Sequence, residues 1–135
     1  MKILCLDYGK ARIGCAMSDP TGTLALPYAT VHEKNFRLQL EKINDIINRE
    51  KADKILMGLP RNMDGTEGES AALAREFAEK LSAMSGLPHE FTDERLSTVS
   101  AHRILNEVNM CGSRKRRNVV DTVSAVILLQ AYLDK

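Results

Sequence analysis

The chain has 135 residues, 44% of them apolar, which is the size of one ordinary domain with a real core and counts against both disorder and two substantial domains. A net charge of +1, no Trp and only three Phe and three Tyr count against a broadly basic chain or an aromatic base-stacking platform. Cys5, Cys15 and Cys111 are odd in number and show no C-x-x-C spacing, which argues against a zinc site or a disulfide framework and for a reducing compartment.

The chain opens directly on a strand-like pattern, KILCLD, without the basic and apolar regions of a signal peptide. No apolar stretch approaches the roughly 20 residues of a membrane span, so the expected location is the cytoplasm. RIGCAMSD follows after the turn-prone YGKA, and DPTG is a type I turn signature leading into TLALPYATV. Short turns between three consecutive strands predict antiparallel hairpins, and Pro27 suits an edge strand.

The period then changes. Phe36, Leu40, Ile43 and Ile47 recur at helical spacing and predict a helix over 35–50. DKILMGLP is a short strand ending at Gly58 and Pro60, and RNMDGTEGE is a polar, glycine-bearing loop. Leu73, Phe77, Leu81 and Met84 mark a second helix, stopped by Gly86 and Pro88. HEFTDE is a fifth strand. Ser97 or Thr98 can cap a third helix carrying Ala101, Ile104, Leu105 and Val108 and ended by Gly112. VVDTVSAVILLQAYL forms the last helix. The order β-β-β-α-β-α-β-α-α predicts an α/β fold: a mixed sheet, antiparallel first and then parallel, covered by helices. Ligand sites in such sheets gather at the carboxyl ends of the parallel strands.

Acidic residues fall at those ends. Asp7 closes the first strand, Asp93 and Glu94 close the fifth, and Asp121 stands near the start of the last helix in an otherwise apolar segment. Carboxylates converging at one sheet edge repel unless a cation intervenes. Oxygen-only ligands favour Mg²⁺ or Mn²⁺, and two such ions can activate water and stabilise the leaving oxygen in phosphodiester hydrolysis. Each residue also has a simpler reading: an Asx-turn toward Gly9 for Asp7, helix-opening charges for Asp93 and Glu94, and a third-position Asp after an Asn118 cap for Asp121. Ser124 and Ala125, at i+3 and i+4 from Asp121, are small enough to leave space beside its carboxylate. Lys10 and Arg12 flank Asp7, and Arg114, Lys115, Arg116 and Arg117 form a basic block that reads as a solvated loop.

DYGKARIG has a second use, since a glycine turn between strands can present backbone amides to a phosphate. Actin-like and sugar-kinase ATPases use such a hairpin but enclose the nucleotide between two domains. RNMDGTEGES contains no G-x-x-x-x-G-K-[ST], which excludes a P-loop. His32, His89 and His102 are dispersed, and no ligand role is assigned to them.

Together, LDYGKARIGCAMSD, GLPRNMDGTEG, TDERLST and VDTVSAVILLQAYL resemble the YqgF/RuvX family, small bacterial relatives of RuvC-type Holliday-junction resolvases. The four motifs occur in the family's order and span nearly the whole chain. The resemblance implies a ribonuclease H-like fold, a nuclease that processes the precursor of small-subunit ribosomal RNA at its 5′ end, and two ions of Mg²⁺ or Mn²⁺. By motif, the catalytic acids are Asp7, Asp121 and the pair Asp93 and Glu94, with Glu94 preferred over Asp93 as the metal ligand. Arg95, Asn62, Lys10, Arg12 and the run Arg114, Lys115, Arg116 and Arg117 fall on the substrate side. Ser124 departs from the Ala-Ala that commonly follows the Asp. The implied partners are nucleic acid, pre-rRNA ahead of branched DNA, and ribosomal particles, with the chain a monomer or a homodimer and no membrane involved. The rival readings are a resolvase of branched DNA and a non-catalytic RNA- or ribosome-binding module.

Overall fold

The computed structural model describes residues 1–59, 68–93 and 113–134, with only the backbone described at 93 and 113–122. The elements are β1 (Ile3–Tyr8), β2 (Arg12–Ser18), β3 (Ala25–His32), α1 (Phe36–Glu50), β4 (Lys54–Leu59), α2 (Glu69–Ser85), β5 (His89–Asp93) and α3 (Ser113–Leu133). The helix expected after Ser97 lies outside the described residues, as does most of the RNMDGTEGE loop.

Local chemistry sets the boundaries. At the β2–β3 corner the Gly22 amide donates to the Asp19 carbonyl at 2.9 Å, closing the DPTG turn, and Gly22 takes φ +73°, which glycine adopts without steric cost. The Asp19 carboxylate accepts from the amides of Thr23 and Leu24 and from the Thr21 hydroxyl. These bonds, with Thr21's the largest influence, hold its carboxyl down at about 2. Asn35 caps α1 by accepting from the Leu38 amide. Gly86 ends α2 in the left-handed region, its amide donating to Ser82.

The strands form one mixed sheet in the order β3-β2-β1-β4-β5. β3, β2 and β1 pair antiparallel, and β1, β4 and β5 run parallel, as the turn lengths predict. β3 is an edge strand, the position expected from Pro27.

Helices cover both faces. On one face α1 and α2 pack Leu40, Ile43, Ile47, Phe77 and Leu81 against Leu4, Leu6, Ile13, Ile55 and Met57. Phe77 is fully buried, 4.7 Å from the Tyr8 ring and edge-on to Phe36 at 5.6 Å. Met84, expected on this stripe, is exposed instead. The buried face of α2 consists of Ala71, Ala74 and Ala78 together with the expected Phe77 and Leu81.

On the opposite face Ala125, Leu128 and Leu129 of α3 meet Ile3, Cys5, Ala16, Ala25 and Leu56. The C-terminal part of α3 is tied to the sheet twice. The Gln130 side chain accepts from the Ala25 amide and donates to the Thr23 carbonyl, while the Lys54 ammonium donates to the Tyr132 hydroxyl at 2.7 Å and pairs with Glu90 at 2.8 Å. α3 begins at Ser113, earlier than the apolar pattern indicates. Arg114, Lys115, Arg116 and Arg117 are therefore in helix rather than in a loop, and Asn118 is inside the helix rather than its cap. Basic residues are good helix formers but carry no apolar periodicity, so the pattern alone starts the helix too late. Among the described residues no helix is long and apolar enough to cross a membrane.

Candidate nuclease site at the carboxyl end of the sheet

Strand register fixes where Asp7 sits. It stands one residue past Leu6, where the pairing of β1 with β4 ends, and opposite Gly14 on β2. On the other side Leu6 pairs with Met57, so the next β4 position, level with Asp7, is Gly58. Gly58 in turn pairs with Thr92 of β5. Asp7 is thus half-buried between two strand neighbours that have no side chains, an arrangement that leaves room around a carboxylate. Successive strand residues alternate faces, which puts Asp7 with Ile3 and Cys5 on the side covered by α3.

The next residues form the wall of the site. A hollow of about 160 Å³ is lined by Asp7, Tyr8, Gly9, Lys10, Ala11 and Arg12. Gly9 is required by close approach: a Cβ there would lie 2.6 Å from the Arg12 carbonyl oxygen. Lys10 reaches Glu69 at 3.7 Å, but both side chains are more than two-thirds exposed, so the pair contributes little.

Beneath this turn lies a residue that sequence reasoning missed. Gln39 is a polar residue of α1 yet is 1% exposed. Its amide nitrogen donates to the carbonyls of Gly9 (3.2 Å), Lys10 (3.1 Å) and Glu33 (2.7 Å), and its oxygen accepts from the Tyr8 hydroxyl at 3.1 Å. One side chain therefore ties the β1–β2 turn to the β3–α1 connection. The only sequence signal is its position beside Leu40 and Ile43 on the inward stripe.

The remaining acidic candidates come from elsewhere in the chain. Asp93 ends β5 paired with Leu59, at the same end of the sheet as Asp7. α3 is anchored by Tyr132 and Gln130 at the opposite end, near Lys54 and Ala25. From Tyr132 back to Asp121 the helix covers about 16 Å, and from Ile3 to Asp7 the strand covers about 13 Å. The backbone at Asp121 is thereby carried to the Asp7 end, four residues before the buried Ala125. The basic run 114–117 lies one to two turns further along α3 in that direction. Asp121 is well inside the helix, not in its first turn, so the simpler reading of it as a helix-opening charge fails. Glu94, Arg95 and Asn62 lie outside the described residues. Among the described residues no three His, Cys, Asp or Glu side chains form a metal-holding group; of the acidic candidates, only Asp7 has its side chain described.

Comparison with known proteins places this geometry. The family model RuvX, described as Holliday junction resolvase, matches residues 1–135. A relative from Moorella thermoacetica is 42% identical over 135 residues, covering all of this chain and 96% of its own. One from a Ruegeria species is 47% identical over 131 residues, covering 96% and 82%, and one from Streptococcus sanguinis is 36% identical over 137 residues, covering 100% and 99%. All three carry the name "Putative pre-16S rRNA nuclease". Among solved structures, RuvC of T. thermophilus in complex with a Holliday junction substrate superposes with a TM-score of 0.66 at 9% identity, covering 100% of this chain and 97% of that one. The fowlpox virus resolvase with substrate Holliday junction DNA gives 0.64 at 11% identity, covering 99% and 97%. These likenesses identify the fold as ribonuclease H-like, the fold that the family resemblance implies and that the mixed, helix-covered sheet matches. The full-length match and the identity to these relatives make this chain a member of the RuvX family.

Proposed function

We propose that the chain is a divalent-metal-dependent nuclease hydrolysing phosphodiester bonds of structured nucleic acid, with pre-16S rRNA, cut at its 5′ end, as its substrate. What supports this reading is Asp7, opposite Gly14 at one sheet end, with α3 running from its anchor at Tyr132 back toward that end. The choice of RNA draws on the name shared by the relatives. Branched DNA is the second reading, favoured by the family's description.

Asp7, Glu94 and Asp121 are the proposed ligands of Mg²⁺ or Mn²⁺, two ions in all. Asp7 suits such an ion: a hard oxygen donor beside an open hollow, with no side chain on either strand neighbour to crowd it. Of the adjacent pair, Glu94 is the proposed ligand ahead of Asp93, on the motif match alone. Bound there, the ions supply Lewis acidity for activating water and for neutralising charge on the leaving oxygen. The protein's own part is to position and to hold. Gln39 fixes the turn that bears Lys10. Lys10, Arg12, Asn62, Arg95 and Arg114–Arg117 hold backbone phosphates. The working compartment is the cytoplasm, with ribosomal particles as the place of contact.

The test is cleavage of end-labelled precursor rRNA and of four-way DNA junctions with Mg²⁺, Mn²⁺ or EDTA. Asp7→Asn and Asp121→Asn are each expected to lose roughly a thousandfold in rate, the equivalent of several kcal/mol of charge stabilisation. Full-rate cleavage by either variant sinks the metal-site reading. Cleavage of the junction alone replaces RNA with branched DNA.

A further inference from the structure

A second basic feature borders the Asp7 hollow and extends from it toward β3. An open groove of about 650 Å³ is lined by Ala11, Arg12, His32, Glu33 and Lys34. Arg12 and His32 are cross-strand partners of β2 and β3, and Arg12 is two residues from Gly14, the partner of Asp7. The pleat therefore puts the Arg12–His32 pair on Asp7's side of the sheet, one row further toward its end. β3 is two strands from β1, about 10 Å at the usual strand spacing, a span that a few stacked nucleotides cover.

Two observations make this groove more than a solvated rim. Its single acidic residue is already committed: the Glu33 carboxylate accepts from the Lys42 ammonium at 3.0 Å and from the amides of Lys34 and Asn35 at 3.1 and 3.2 Å. The Lys42 bond foremost holds its carboxyl below the ordinary range. The groove also has a fixed shape. The Glu33 amide donates to the Ala11 carbonyl at 3.0 Å, and buried Gln39 ties the carbonyls of Gly9, Lys10 and Glu33 together from below. Both backbone walls are thus pinned to each other, and a ligand entering between them meets a groove of fixed shape.

We infer that this groove is a phosphate-backbone track, on which Arg12, His32 and Lys34 hold the nucleic-acid strand a few nucleotides from the residue being cut. The assignment rests on the nuclease reading above and extends it: the substrate crosses the β1–β2 turn toward β3, in addition to contacting the basic start of α3. Because the contacts are to phosphates, they carry no sequence preference and serve RNA and DNA alike.

The experiment measures binding without cleavage. Fluorescence anisotropy of a labelled RNA hairpin with single-stranded flanks, and of its DNA counterpart, is followed in Ca²⁺ across a salt series, using the full chain. The His32→Glu/Lys34→Glu double variant alters two exposed side chains; thermal unfolding checks that it stays folded. It is expected to bind roughly tenfold more weakly, with the salt slope reduced by about 1–2, the signature of lost phosphate contacts. Lys80→Glu, on α2 across the sheet, makes a single charge reversal and is expected to leave both unchanged. Wild-type affinity and slope in the double variant overturn the track while leaving the nuclease reading intact. Equal weakening by Lys80→Glu also overturns it, since net charge would then explain the loss. A wild-type chain that binds neither probe overturns both. Weakening on only one probe assigns the track to that nucleic acid.

Discussion

On one side of the sheet α1 and α2 bury Phe77, Leu40, Ile43, Ile47 and Leu81 over the length of the strands. On the other, α3 meets the sheet through smaller residues, Ala16, Ala25, Cys5 and Ala125, with Leu128 and Leu129 toward its far end. The first side is a core whose loss would unfold the chain. Among the described residues, the second is apolar where α3 is anchored, and it gives way to Gly14, Asp7 and Gly58 at the carboxyl end of the strands. On the proposed assignment of the site, stability and chemistry lie on opposite sides of one sheet, and a polar site can be built without opening the main core.

That contrast can be broken by substitution. Phe77→Ala removes a fully buried ring and is expected to cost about 3–5 kcal/mol, read by urea denaturation. The folded fraction should keep its metal-dependent cleavage; loss of cleavage by fully folded protein would show that the two sides are not separable. Ala125→Leu, at a fully buried position on the thin side, is expected to cost about 1–3 kcal/mol by overpacking and to lower cleavage out of proportion to stability, because it lifts α3 one turn from Asp121. An unchanged rate at full occupancy would contradict that coupling. Tyr132→Phe deletes the acceptor of the Lys54 hydrogen bond and should cost about 1 kcal/mol, with no effect on nucleic-acid affinity by anisotropy.

The smallest effect concerns acid. Asp19 titrates at about 2 when folded against an ordinary 3.8. Its stabilisation is therefore complete above the ordinary value, declines as pH falls below it, and is gone beneath the folded value. Asp19→Asn should narrow its stability gap from wild type between neutral pH and pH near 2, in paired denaturation curves. A gap that stays constant would remove Asp19's turn bonds as the cause.

Much of the frame is legible in the sequence because apolar periodicity is strong. The helical spacing of Phe36, Leu40, Ile43 and Ile47 places α1 within a residue of its observed bounds, and the short turns settle the antiparallel half of the sheet. Failures occur where periodicity is silent. Charged residues extend α3 back to Ser113, and Met84, though at helical spacing, is exposed at the end of α2. Within the site, Asp7 is visible as a strand-end carboxylate. Its setting between Gly14 and Gly58 is not, because it depends on register between strands far apart in the chain. Gln39 is invisible for another reason: a polar residue in an amphipathic helix reads as surface, and only the fold brings three carbonyls to its amide. His32, dispersed from the other histidines, has no ligand spacing, yet cross-strand pairing puts it beside Arg12.

The outer strand β3 bears on how copies of this chain can associate. Its pairing with β2 is interrupted by a bulge at Cys15/Ala16, next to Pro27, which has no amide to donate. An incoming strand would meet an irregular row of donors and acceptors there, a common protection against edge-to-edge aggregation. A pair of copies would therefore have to join elsewhere than by extending the sheet across this edge.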